Sequence, residues 1–120
     1  MEYDLSENYM ANCDEYLNFM VDFNIEKLKY KPFSVMERVF EVDHLLDESK
    51  LIGFDLIRTN KILSNTLGEN ELAIGFSVSD DIIYMDVCDG TIHLFVTESD
   101  NGERIKLSDS FKEFVSMCIE

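Results

Sequence analysis

The sequence predicts an α+β fold, a single layer of mixed, mostly antiparallel sheet with helices packed on one face. Three observations carry that expectation. Apolar residues alternate with period two through much of residues 72–97, Asp-Asp and Asp-Gly turns punctuate the stretch, and amphipathic helical stripes lie near both ends of the chain. The chain has 120 residues, 46% of them hydrophobic, which is the size of one domain with its own core. No linker, repeat or low-complexity tract divides it, so residues 1–120 are expected to form a single domain.

Residues 6–23 read as an amphipathic helix. Tyr9, Cys13, Tyr16, Leu17 and Met20 recur at spacings of three and four, and Ser6 is the candidate N-cap. A short cationic stretch of Lys27, Lys29 and Lys31 leads to Pro32, which sets the chain on an extended path. Residues 33–42, FSVMERVFEV, predict one strand with a bulge near Met36, where the alternation slips. Residues 43–49, DHLLDES, predict a short turn of helix capped by Asp43. Residues 51–57 are balanced between strand and loop, and residues 59–67 predict a weak helix stopped by Gly68.

The second half is more regular. Leu72, Ile74, Phe76 and Val78 alternate with Ala73, Gly75 and Ser77, the pattern of a strand with one buried face. Ser79-Asp80-Asp81 forms a turn and residues 82–87 a second strand. Cys88-Asp89-Gly90 follows as a tight hairpin whose Asp-Gly pair tolerates positive φ at both positions. A third strand covers residues 91–97, Asn101-Gly102 turns the chain, and residues 104–107 extend again. The final helix is capped by Ser108 or Ser110, with Ser110 and Glu113 as a capping box. Its stripe is Phe111, Phe114, Val115 and Cys118.

Charge narrows the function classes. There are 25 acidic residues against 10 basic ones, giving a net charge of -15 and a pI near 4.3. Phosphate backbones and anionic lipid surfaces repel such a chain, so neither direct nucleic-acid binding nor membrane binding is expected, and a basic protein partner is. The amino-terminal residues have no basic region followed by an apolar one, and no apolar run approaches the roughly 20 residues of a membrane span. A cytoplasmic location is the expectation. Cys13, Cys88 and Cys118 are odd in number and far apart, as reduced thiols are. Oligomeric state leaves no signature here.

Catalytic constellations are sparse. His44 and His93 sit in no metal-ligand spacing, and Cys88 with His93 would need both side chains to converge across a hairpin and a third group to orient them. Asp80-Asp81 and Asp86 with Asp89 lack the spacing of a calcium loop, and the glycines form no phosphate loop. Neither a catalytic centre nor a cofactor or metal is expected.

What stands out is one-signed charge in two separate stretches, the first being residues 1–26, with seven carboxylates and no base. Between Ile62 and Glu103 there is no Lys or Arg, while carboxylates recur throughout. If Ile83, Met85, Val87, Ile92, Leu94 and Val96 face the core, then Tyr84, Asp86, His93, Phe95 and Thr97 share the other face. Aromatics beside carboxylates suit a partner-binding patch, with Asp80, Asp81, Tyr84, Asp86, Asp89, His93, Phe95, Glu98 and Asp100 as its candidate residues. Coverage by a helix, with Tyr84 and Phe95 as core, is the alternative, and both stay open.

The carboxyl-terminal half also resembles the SUKH superfamily, which includes fungal cell-wall-assembly regulators and bacterial toxin-immunity proteins. The likeness is carried by Leu72-Ala73-Ile74-Gly75, Ile83-Tyr84-Met85-Asp86, Asp89-Gly90-Thr91-Ile92-His93-Leu94-Phe95 and Ser110-Phe111-Lys112-Glu113-Phe114-Val115, over residues 72–119. The Leu-Pro and Asn-Gly-Gly that often open such domains are missing. The resemblance implies an α+β fold with a mixed sheet and no active site. For a bacterial member it implies stoichiometric neutralisation of a cognate toxin delivered by a competing cell, often a nuclease and therefore basic, as in contact-dependent inhibition. A different class, an acidic nucleic-acid mimic that inhibits a DNA-binding defence enzyme, fits the same charge.

Overall fold

A computed structural model describes residues 29–46, 56–68, 70–97 and 102–119. The expected helix over residues 6–23 lies outside them. The α+β class holds. Strands β1 (Phe33–Val35) and β2 (Arg38–Phe40) form a two-stranded hairpin, and β3 (Val42–Leu45), β4 (Glu71–Ser77), β5 (Ile82–Asp86), β6 (Ile92–Phe95) and β7 (Arg104–Ser108) form a five-stranded sheet in chain order. Helix α1 (Leu56–Ile62) precedes β4 and helix α2 (Phe111–Cys118) follows β7. All pairings between these strands are antiparallel.

Residues 33–42 make a hairpin where one bulged strand was expected. Val35 pairs with Arg38, so Met36 and Glu37 are the two-residue loop, with φ of 53° and 65°. Positive φ at both loop positions matches the right-handed strand twist, and Asn-Gly is the usual signal for it. Met-Glu carries no such signal. The slip in alternation near Met36 marks the turn.

Residues 43–45 are strand rather than capped helix. Val42, Leu45 and Leu46 are buried, and pairing with β4 outweighs the local helix signal. Helix α1 begins at Leu56 and tightens into a 3-10 turn over Leu63–Asn65. Gly68 is not a left-handed stop; its N–H donates to Glu71 Oε1 at 2.7 Å.

Strand β4 departs most from its predicted pattern. Leu72, Ala73, Ile74 and Gly75 are all buried, because the register with β5 shifts between Ala73 and Gly75 and Ile74 is the bulged residue. Leu72 shares the face of Met85, while Phe76 shares that of Ile82. The simple alternation therefore breaks in mid-strand, and Val78 ends 55% exposed. Gly75 is required by proximity: a Cβ there would lie 2.7 Å from the His44 carbonyl oxygen. Beyond the end of β3, Ala73 turns both backbone groups to one buried side chain. Its N–H donates to Asn60 Oδ1 at 2.7 Å, and Asn60 Nδ2 donates to its carbonyl at 2.9 Å. The carboxamide thus stands in for a strand partner and fixes α1 to β4.

The remaining hairpins hold with one adjustment. Of Asp89 and Gly90 only Gly90 takes positive φ, at 80°, while Asp80 takes 65° in the β4–β5 turn. In α2, Ser110 is the cap, its Oγ accepting from Glu113 N at 3.1 Å, and Ser108 instead donates its hydroxyl to the Ser110 carbonyl. Phe111, Phe114 and Cys118 are buried, and Phe114 meets Phe33 of β1 edge-on at 6.0 Å. Tyr30 bridges to Ile119, and Lys31 N donates to the Cys118 carbonyl at 2.8 Å.

Two outcomes test these assignments. Replacing Met36-Glu37 with Asn-Gly puts residues that tolerate left-handed backbone where two that cost about 1 kcal/mol each now stand, and should raise stability in urea by roughly 1 kcal/mol. A destabilised variant would refute the loop geometry. Asn60→Ala leaves the Ala73 N–H and C=O without their partner inside the protein and should cost about 2 kcal/mol or more in the same assay; a loss under about 0.5 kcal/mol would remove the carboxamide from this role.

Candidate functional site

Strand pairing builds one sheet face in cross-strand rows. His44, Phe76, Ile82, Phe95 and Arg104 are successive partners across all five strands, and beside them run Ala73, Tyr84, His93 and Lys106, with Glu71 opposite Asp86. Cross-strand partners point to the same side, so Tyr84, Asp86, His93 and Phe95 do share a face, as the strand phase predicts. The opposite face holds Leu72, Ile83, Met85, Ile92 and Leu94, all buried.

Burial divides the predicted set. Tyr84 is only 2% exposed, whereas His93, Phe95 and Asp86 are half-buried. Arg104 lies across this face, its guanidinium 4.8 Å from the Phe95 ring centre and 5.9 Å from that of Tyr84. Its far end makes a two-pronged ion pair with Glu71, Nε to Oε2 at 3.1 Å and Nη2 to Oε1 at 3.0 Å. Burial works to raise the Glu71 carboxyl, but Arg104 and the Gly68 N–H together hold it below the ordinary value. Burial first, then the Glu71 charge, pushes the Tyr84 phenol up to about 12. Neither Glu71 nor Arg104 was in the predicted set. Arg104 is the first base after a long acidic stretch and a register partner of Phe95, which is the signal that would have found it.

His93 is the other organising group. Its ring stacks on Tyr84 at 5.2 Å with an 11° tilt. Thr91 Oγ1 lies 2.7 Å from His93 Nε2 and 2.6 Å from Asp89 Oδ1. Thr91 has one hydroxyl proton, directed to the carboxylate, so Nε2 must carry hydrogen and donate. The hydroxyl sits between carboxylate and imidazole. In a nucleophilic triad the imidazole sits in the middle and accepts the hydroxyl proton, so this order does not activate Thr91. The Thr91 hydroxyl and N–H hold the Asp89 carboxyl below its usual range. Burial lowers the His93 imidazole, against the pull of Asp86 and Asp89.

The other predicted residues fall elsewhere. Asp81 is buried at the opposite end of β5, where Oδ1 accepts from Thr97 N at 3.2 Å, so it braces a hairpin. Asp80 is exposed in the turn before it, and Asp86 Oδ1 accepts from Cys88 N at 2.9 Å. Glu98 and Asp100 lie outside the described residues. Cys88 is exposed in the β5–β6 turn, while His44 on β3 is three strands from His93, roughly 14 Å at ordinary strand spacing. His44 Nδ1 lies 2.8 Å from Asp43 Oδ2. Among the described residues no group of His, Cys, Asp and Glu is arranged to hold a metal, and no helix is long and apolar enough to cross a membrane.

Comparison with protein-family models, curated proteins and solved structures finds no match for this chain.

The depressed His93 imidazole gives a signed expectation. The unfolded chain takes up this proton near the ordinary value of 6.5 and the folded chain only at lower pH. Its contribution to stability is therefore complete above 6.5 and lost as pH falls through the folded value. His93→Gln should lose less stability than the native chain between about pH 7.5 and pH 5, measured by urea midpoints. Parallel curves for the two proteins would show that His93 is not the titrating group.

Proposed function

We propose that this chain is a non-catalytic, SUKH-type immunity protein that binds a cognate, basic, nuclease-type toxin and blocks it stoichiometrically. One observation carries the reading. The chain has a net charge of -15, and Arg38, Arg104 and Lys106 are held by its own carboxylates, Glu103, Glu71 and Asp109. Nine of the 25 acidic residues fall from Ile62 to Glu103 and seven in residues 1–26, and neither stretch carries a Lys or Arg. Like charge confined to a compact body costs stability through self-repulsion, and a basic protein relieves that cost on contact. A nuclease surface that grips phosphate has the needed sign. The same long-range field accelerates encounter, so charge sets the association rate while a few apolar groups set the lifetime of the complex.

The experiment uses the product of the adjacent reading frame, the expected place of a toxin gene. Co-expression should protect cells from that product. The association rate of the purified pair should fall at least about tenfold between about 50 and about 500 mM salt. A salt-independent rate, or no protection, overturns the proposal. Inhibition of a DNA-binding enzyme with no effect on that product also overturns it, in favour of nucleic-acid mimicry.

A further inference from the structure

The five-stranded sheet has two edges, β3 and β7. An edge strand turns about half of its N–H and C=O groups outward, where another chain can pair with them. On β7 the exposed side chains are Arg104 and Lys106, charges that bar a neighbouring strand. β3 has no Lys or Arg, and Val42 and Leu45 of its four residues are buried. That edge needs a different closure.

Tyr30 supplies one. Leu46 N donates to the Ile74 carbonyl of β4 at 2.7 Å, so the preceding Leu45 N–H points away from β4 and off the sheet. Leu45 is fully buried, which denies that N–H water as well as a strand. The Tyr30 hydroxyl accepts from it at 3.3 Å. Tyr30 is itself held from α2, where it bridges to Ile119 while Lys31 N donates to the carbonyl of the buried Cys118 at 2.8 Å. Tyr30 and Lys31 thus strap the end of α2 to the outer edge of β3.

We infer that Tyr30 is the cap that ends the sheet: its phenol oxygen stands where a sixth strand would place a carbonyl, and without it the β3 edge pairs with the β3 of a second copy. Identical edges meet antiparallel about a two-fold axis, so each supplies the carbonyls that the other lacks. The net charge of -15 opposes that approach at low salt and is screened at high salt, where the cap alone keeps the edge single. This is a property of the free chain and is independent of the partner proposed above.

The test is amide hydrogen exchange by NMR on the full chain, native and Tyr30→Phe, which keeps the ring and loses the acceptor. The Leu45 amide should exchange at least about threefold faster in the variant. The Leu46 amide, bonded to β4 on the other side of the same strand, should keep its native rate. An unchanged Leu45 rate overturns the cap. An equal gain at both amides overturns it as well, being general loosening rather than an opened edge. Tyr30→Ser removes the ring too and should give, with native circular dichroism, a dimer in sedimentation equilibrium at about 500 mM salt where the native chain does not. A folded serine variant with the native mass overturns the pairing of copies through β3. If that variant does not fold, the two amide rates in Tyr30→Phe decide alone.

Discussion

Strand β4 must bury both its faces, and much of the described fold follows from how it does so. Leu72 through Gly75 are enclosed, which no regular alternation of one-sided strand residues allows. The bulge at Ile74 changes which residues face which side, Gly75 lets β3 approach to a distance that a methyl group would block, and Asn60 answers the backbone of Ala73 where β3 has ended. A buried peptide group without a partner would cost more than a hydrogen bond returns, so the Asn60 carboxamide holds α1 to β4. The Ile74-Gly75 pair has a physical purpose in this chain: bulge, then close approach.

The two faces of the large sheet solve different problems. One is an ordinary aliphatic core closed by α2, where Phe114 is fully buried. The other carries charge and aromatic rings together. Arg104 reaches over Phe95 and Tyr84 to Glu71, and His93 stacks on Tyr84 while donating to Thr91. Each ionic group in that arrangement spends its strongest contacts inside the protein. The planar guanidinium suits this, since it can stack and make a two-pronged carboxylate pair at once. Such a face is organised for stability first, and the exposed carboxylates of the turns are what it leaves to the surroundings.

The other end of the sheet shows the reverse balance. At the Met36-Glu37 loop the backbone accepts left-handed geometry without glycine or asparagine, and the side chain so displayed is apolar and solvent-exposed.

The sequence by itself determined the α+β class, the β4–β7 meander, the buried stripe of α2, and the phase that puts Tyr84, Asp86, His93 and Phe95 on one face. These rest on short-range periodicity and turn chemistry, which are local properties of the chain. Hairpin β1–β2 escaped because Met-Glu is not a turn signal, and β3 escaped because Asp43 reads locally as a helix cap while pairing with β4 is decided at long range. Only the tertiary structure decided that Asp81 turns inward and that Glu71 and Arg104 meet, because both depend on register between strands distant in the chain.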